Sequence, residues 1–165
     1  MRREYTISFN QAILSEKVIL SFLLQTSNVV RFTEVHWREL SFLELEKLGG
    51  DNDLKFVNTL NMIHHFFIRK ITNNQRYNDI PQRKSFEYNH YFYRLTAKLK
   101  ALLSKETLFW SSMPPYATIF YGLEDPTFYK EDEIIGSIIT HEPIAILYLT
   151  LSEMRELKRK GVKFD

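Results

Sequence analysis

Beyond Lys105 the chain breaks into short apolar segments, and this punctuation constrains the fold more than any other feature. Thr107 to Ser111, Ala117 to Gly122, Thr127 to Lys130, Ile134 to His141 and Ile144 to Thr150 are parted by Pro114-Pro115, Glu124-Asp125-Pro126, Glu131-Asp132 and Glu142-Pro143. Segments of strand length separated by turn residues at this density suit an antiparallel meander. Ile144 to Leu149 is apolar on both faces, which makes it an inner strand covered by helices on at least one side. Ser152 to Lys160 reads as a closing helix stopped by Gly161, with Arg155, Lys158, Arg159 and Lys160 near its negative end.

Before Lys105 the pattern is mainly helical. Arg3 to Phe9 is an exception, because Tyr5, Ile7 and Phe9 alternate with Glu4, Thr6 and Ser8 at the period of a half-buried strand. From Asn10 to Gln25 apolar residues occupy almost every direction around a helix, so that helix should be buried on most sides. Asn28 to Trp37, with Val29, Val30, Phe32 and Val35, reads as a strand or extended link. Trp37 to Leu48 is expected to be a short helix ended by Gly49 and Gly50. Asn52 to Ile71 is expected to be a long one, with Leu54, Val57, Leu60, His64, Phe67, Ile68 and Ile71 along one face. Thr72 to Lys84, rich in Asn and holding Pro81, reads as an exposed loop. Ser85 to Ser104 is expected to be a third long helix, turning Tyr88, Leu95, Leu99 and Leu102 one way and Phe86, His90, Tyr93 and Ala97 the other. The predicted architecture is α+β: about three long helices packed on a mostly antiparallel sheet formed largely by the C-terminal third, in a single globular domain spanning 1–165.

A chain of 165 residues is long enough to fold around its own core without a covalent staple. It has no cysteine, which excludes disulfides, thiolate metal sites and a cysteine nucleophile. The start, Met1 to Ser8, lacks the apolar run of a secretory signal. Val18 to Leu24 and Ile144 to Leu149 are far shorter than the roughly 20 apolar residues a membrane span requires. The expectation is a soluble, cytoplasmic protein that does not engage membranes.

Charge is unevenly spread. Residues 69–105 hold nine basic and two acidic side chains, whereas 106–165 hold six basic and ten acidic. Within the basic stretch Arg69, Lys70, Arg76, Arg83, Lys84, Arg94 and Lys98 stand among Tyr77, Phe86, Tyr88, Tyr91, Phe92 and Tyr93, a mixture able to hold phosphates by charge and bases by stacking. The overall charge is only +2, and no helix-turn-helix or ribonucleoprotein signature accompanies it.

Motifs that carry chemistry are missing. No Gly-x-Ser-x-Gly, Walker pattern or His-Glu-x-x-His occurs, and Glu124, Asp125, Glu131, Asp132 and Glu133 lack the spacing of a calcium loop. His64 falls in the apolar stripe of the second long helix, where a hydrogen-bonded core histidine is the expected role, and His36 and His141 have no constellation around them. No cofactor and no metal are expected. The leading functional expectation is a non-enzymatic regulatory, inhibitory or immunity-type protein that recognises a protein partner through Phe86, His90 and Tyr93. The alternatives are a nucleic-acid-binding module using Arg69, Lys70, Arg76, Arg83, Lys84, Arg94 and Lys98, and an enzyme whose histidines meet only in three dimensions.

Overall fold

Strands from every third of the chain, not the last third alone, build one antiparallel sheet. The computed structural model describes residues 1–34, 52–75, 86–106, 122–140, 142 and 144–165. Among them seven strands, β1 (Arg3–Ile7), β2 (Val29–Glu34), β3 (Phe67–Gln75), β4 (Phe86–Arg94), β5 (Leu123–Lys130), β6 (Glu133–Ile139) and β7 (Ile144–Leu149), lie in the order β1-β7-β6-β5-β2-β4-β3. Five α-helices accompany them: α1 (Phe9–Leu14), α2 (Glu16–Thr26), α3 (Asn52–Ile63), α4 (Ala97–Leu103) and α5 (Leu151–Arg159). The class is α+β, as the sequence implied, but the three long helices are replaced by shorter ones. None of the described helices is long and apolar enough to cross a membrane.

Two of the expected long helices are part helix and part strand. The helix predicted over Asn52 to Ile71 ends at Ile63, passes through a 3-10 turn at His64–Phe66 and becomes β3. The helix predicted over Ser85 to Ser104 is β4 followed by α4, whose N-cap Thr96 accepts from the Leu99 amide at 3.3 Å. Ring-rich sequences such as Phe86 to Tyr93 fit a pleated surface better than a helix, and here tertiary pairing with β2 decides in favour of the strand. The helix expected at Trp37 to Leu48, most of the loop expected at Thr72 to Lys84 and the first strands expected after Lys105 lie outside the described residues.

Register explains which side of the sheet is buried. Tyr5, Leu147, Gly136, Phe128, Val30, Tyr93 and Phe67 face one another in a single row across all seven strands. Four of them, Leu147, Phe128, Val30 and Tyr93, are at most 1% exposed. Ile19, Leu20, Leu23 and Leu24 of α2, Phe56 and Ile63 of α3, Leu99 and Leu103 of α4 and Leu157 of α5 join these strand residues in one buried cluster. The other face carries the row Thr6, Ile146, Ser137, Thr127, Arg31, Phe92 and Arg69, a polar and basic series.

The two ends of the chain are tied together at the β1 side. Arg2 forks onto Glu153 at 2.6 and 3.1 Å and also donates to the Tyr148 carbonyl at 2.9 Å. Glu153 in turn accepts from the Thr150 amide at 2.7 Å, while Thr150 Oγ1 accepts from the Glu153 amide, closing a capping box on α5. The helix stops where Gly161 takes φ +92 and the Val162 amide bonds back to Leu157 O at 3.0 Å.

Gly136 sets how closely α2 approaches the sheet. A Cβ placed there meets Leu147 Cδ2 at 2.7 Å and Leu23 Cδ2 at 2.8 Å, with Ile146 O at 3.0 Å. Gly136→Ala should therefore overpack the α2–sheet contact and cost about 1–3 kcal/mol. Urea unfolding followed by far-UV circular dichroism measures this, and an unchanged midpoint would show that α2 can withdraw freely.

Candidate functional site

The β3–β4 hairpin holds most of the described residues that the sequence singled out, but it divides them. On a strand, positions of opposite parity point to opposite faces, so His90 and Tyr93 cannot share a docking surface as they would on a helix. Tyr93 is 1% exposed and belongs to the core, its ring meeting Phe32 edge-on at 6.1 Å and Phe67 at 5.9 Å. Burial pushes its phenol well above the usual range. Phe86 pairs with Gln75 at the far end of the hairpin, and its side chain is not among those described.

His90 lies on the opposite, basic face, half-buried, with Nδ1 3.2 Å from Thr33 Oγ1. Burial, and then the positive charge of Arg31, hold its imidazole below the ordinary 6.5, so the ring is neutral at pH 7. Of the other histidines, His64 is not a core residue. The helix ends one residue earlier, at buried Ile63, leaving His64 and His65 exposed on the turn with ring centroids 4.7 Å apart. His36 and His141 lie outside the described residues.

The basic residues are split in the same way. Arg69 and Arg94 stand on the face that carries His90, Lys70 stands on the core face with Nζ 5.4 Å from the Tyr91 ring centroid, and Lys98 is exposed on α4. Arg76, Arg83 and Lys84 lie outside the described residues. What joins Arg69 instead is Arg31 of β2, which sequence reading missed. It is about 40 residues distant along the chain and becomes a neighbour only through register, with Phe92 between them. The signal was present, because Arg31 interrupts the apolar alternation of Val29 to Phe32 and so had to face away from the core.

On that face Arg69 Cζ lies 4.7 Å from the Phe92 ring centroid, and Phe92 is 6.1 Å from Tyr129. Arg31 Nη2 donates to Thr127 Oγ1 at 2.7 Å, and Ser137 Oγ donates to the same oxygen at 3.3 Å. At the end of the core face Glu34 accepts from Asn89 Nδ2 and from the Tyr91 hydroxyl, each at 2.8 Å, and Thr72 Oγ1 donates to Asn89 Oδ1 at 2.7 Å. Burial first, and then the bond to Glu34 and its charge, push the Tyr91 phenol far up, so it remains a hydrogen-bond donor.

Among the described residues of this region the apolar side chains of β3 are the most exposed. Every residue from Phe67 to Asn73 is exposed, with Phe67 at 47%, Ile68 at 43% and Ile71 at 36%. Ile68 falls at a register shift between Phe67 and Arg69, so it bulges from the ladder. β1, at the opposite edge of the sheet, is treated differently. The Asp165 amide donates to Thr6 O at 3.1 Å, Ser8 Oγ donates to Asp165 at 2.9 Å, and the Phe164 ring packs tilted against Tyr5 at 5.3 Å.

Chemically, these groups offer charge, aromatic rings and a strand edge. Among the described residues no group of three or more His, Asp or Glu is placed to hold a metal. A groove of about 470 Å³ between α2 and α4 is lined by Lys17 and Lys100 over Leu20, Leu24 and Ala101, with no acid or histidine among the described residues of its walls. No protein-family model, curated protein or solved structure matches this chain.

Since the folded protein takes up a proton at His90 less readily than the unfolded chain, stability is full above pH 6.5 and declines as the pH falls below it. Melting temperatures measured from about pH 7.5 to 5.5, a window in which carboxylates change little, should fall less for His90→Gln than for the parent. Parallel curves would remove His90 from the buried network.

Proposed function

We propose that this chain is a binding protein that recognises a protein partner through the β3 end of its sheet. The observation that carries the reading is the exposed apolar and basic edge formed by Phe67, Ile68, Arg69, Lys70 and Ile71. Exposed apolar side chains beside positive charge suit a protein surface, where aromatic and aliphatic anchors are covered and charge steers the approach. The docking residues are thus those of the strand edge itself, Ile68 at the bulge with Phe67 toward one face and Ile71 toward the other, in place of the Phe86, His90 and Tyr93 grouping that a helix would have made.

A second reading, single-stranded nucleic acid held on the face of Arg31, Arg69, Arg94, Phe92 and Tyr129, draws support from three arginines flanking two rings. Base stacking needs a free ring face, and the Arg69 guanidinium already lies over Phe92. That competition, and the apolar edge that phosphates cannot use, rank it second.

A photoreactive benzoylphenylalanine at position 68 or 71, activated in the native host, should give a discrete protein adduct. The same residue at position 151, where Leu151 is 54% exposed on α5, should not. Ile68→Asp should abolish binding of the captured protein while changing stability by no more than about 0.5 kcal/mol. Adducts that disappear on nuclease treatment would move the assignment to the second reading, and equal adducts from all three positions would remove the site.

A further inference from the structure

β3 offers a geometry as well as a surface. A strand at the rim of a sheet leaves every second N–H and C=O unpaired on its outer side, and such a row templates another strand. β1 has its rim occupied by the C-terminal segment through the Asp165–Thr6 bond. Among the described residues β3 pairs only with β4, and all of its side chains from Phe67 to Asn73 are exposed. The bulge at Ile68 interrupts the ladder at one end, which leaves the regular stretch from Arg69 onward as the template.

Charge selects the occupant. Arg69 points to one face and Lys70 to the other, so a strand laid along β3 meets a positive side chain on both of its own faces. Acidic residues at neighbouring positions of that strand would each find an opposite charge across the ladder. A second copy of the chain is the other obvious strand donor. It would set Arg69 and Lys70 of one edge against the same residues of the other, and like charges across a ladder repel. The same two residues that discourage self-association thus favour an acidic visitor.

We infer that the partner contributes an extended, acidic segment that adds to the outer edge of β3 as an eighth strand. This rests on the reading of β3 as the binding end and specifies how the partner is held: main-chain hydrogen bonds supply attachment, while Arg69, Lys70 and Ile71 supply selectivity.

The probes are synthetic peptides of about nine residues, alternating valine and glutamate, against a valine–lysine counterpart and the acidic peptide N-methylated at alternate amides. Fluorescence anisotropy at low salt with the full chain is expected to show the acidic peptide binding at least about tenfold more tightly than either control. Arg69→Glu with Lys70→Glu should reverse the preference toward the lysine peptide while leaving the melting temperature nearly unchanged. N-methylation without effect would reduce the contact to charge alone and overturn strand addition. So would a dimer by light scattering that dissociates in Ile71→Asp, because the edge would then belong to a second copy. If the acidic peptide fails to bind while the crosslinker at position 68 still captures a protein, strand addition falls and the β3 site stands. If both fail, the site falls as well.

Discussion

Everything in this fold hangs on β2. Among the described strands it is the one whose two neighbours come from distant parts of the chain, β4 on one side and β5 on the other. Without it the sheet separates into a β3–β4 hairpin and a β5-β6-β7-β1 half. Val30 sits between Tyr93 and Phe128, and Phe32 sits opposite Tyr91, so β2 closes the apolar row as well as the hydrogen-bond ladder. Arg31 reaches Thr127, 96 residues later, from the reverse side of the same strand. Pairings of such sequence separation carry a large loop-closure cost before they contribute anything, which makes β2 insertion the natural late step of folding.

Burial and exposure follow from that insertion. One face of the sheet takes up the side chains of the helices, with Gly136 admitting Leu23 and Phe56 reaching Tyr91 at 6.2 Å. The other face keeps Arg31, Arg69 and His90, groups whose burial among apolar side chains would require partners. The edges divide in the same sense. The chain folds its own last residues over β1 and leaves β3 with apolar and positive side chains in solvent. An exposed edge of this kind is an aggregation hazard in a protein with no use for it, and Arg69 and Lys70 contain that hazard by repelling like edges.

Legibility in the sequence varied with the kind of signal. Strict alternation at Tyr5 and Ile7, two-sided apolarity at Ile144 to Leu149, and Gly161 after a basic last turn identified β1, β7 and α5 within a residue or two. Ile68 and Ile71 continued the spacing of α3, and Phe86, His90 and Tyr93 fell by chance at helical intervals, so the first half of β3 and all of β4 were read as helix, while Thr72 to Gln75 were read as loop. The competing cue was composition, since Phe86 to Arg94 holds five aromatic residues and neither alanine nor leucine. The site suffered from the same error. Tyr93, an expected anchor, is core, whereas Phe67, Ile68 and Ile71 were assigned to the buried stripe and stand in solvent. Arg31 was invisible because its neighbours arise from register, which no local pattern encodes.

Amide hydrogen exchange of the free chain, resolved by NMR, tests most directly whether β3 has an open edge. Buried inner strands should be protected throughout, with β2, β5 and β7 exchanging slowest. In β3 the expected pattern from Arg69 to Asn73 is alternating, the amides turned toward β4 protected and those turned outward exchanging nearly as fast as an unstructured chain. Uniform slow exchange along β3, equal to that of β2, would mean that something already covers the edge and would contradict the proposal that partners bind there.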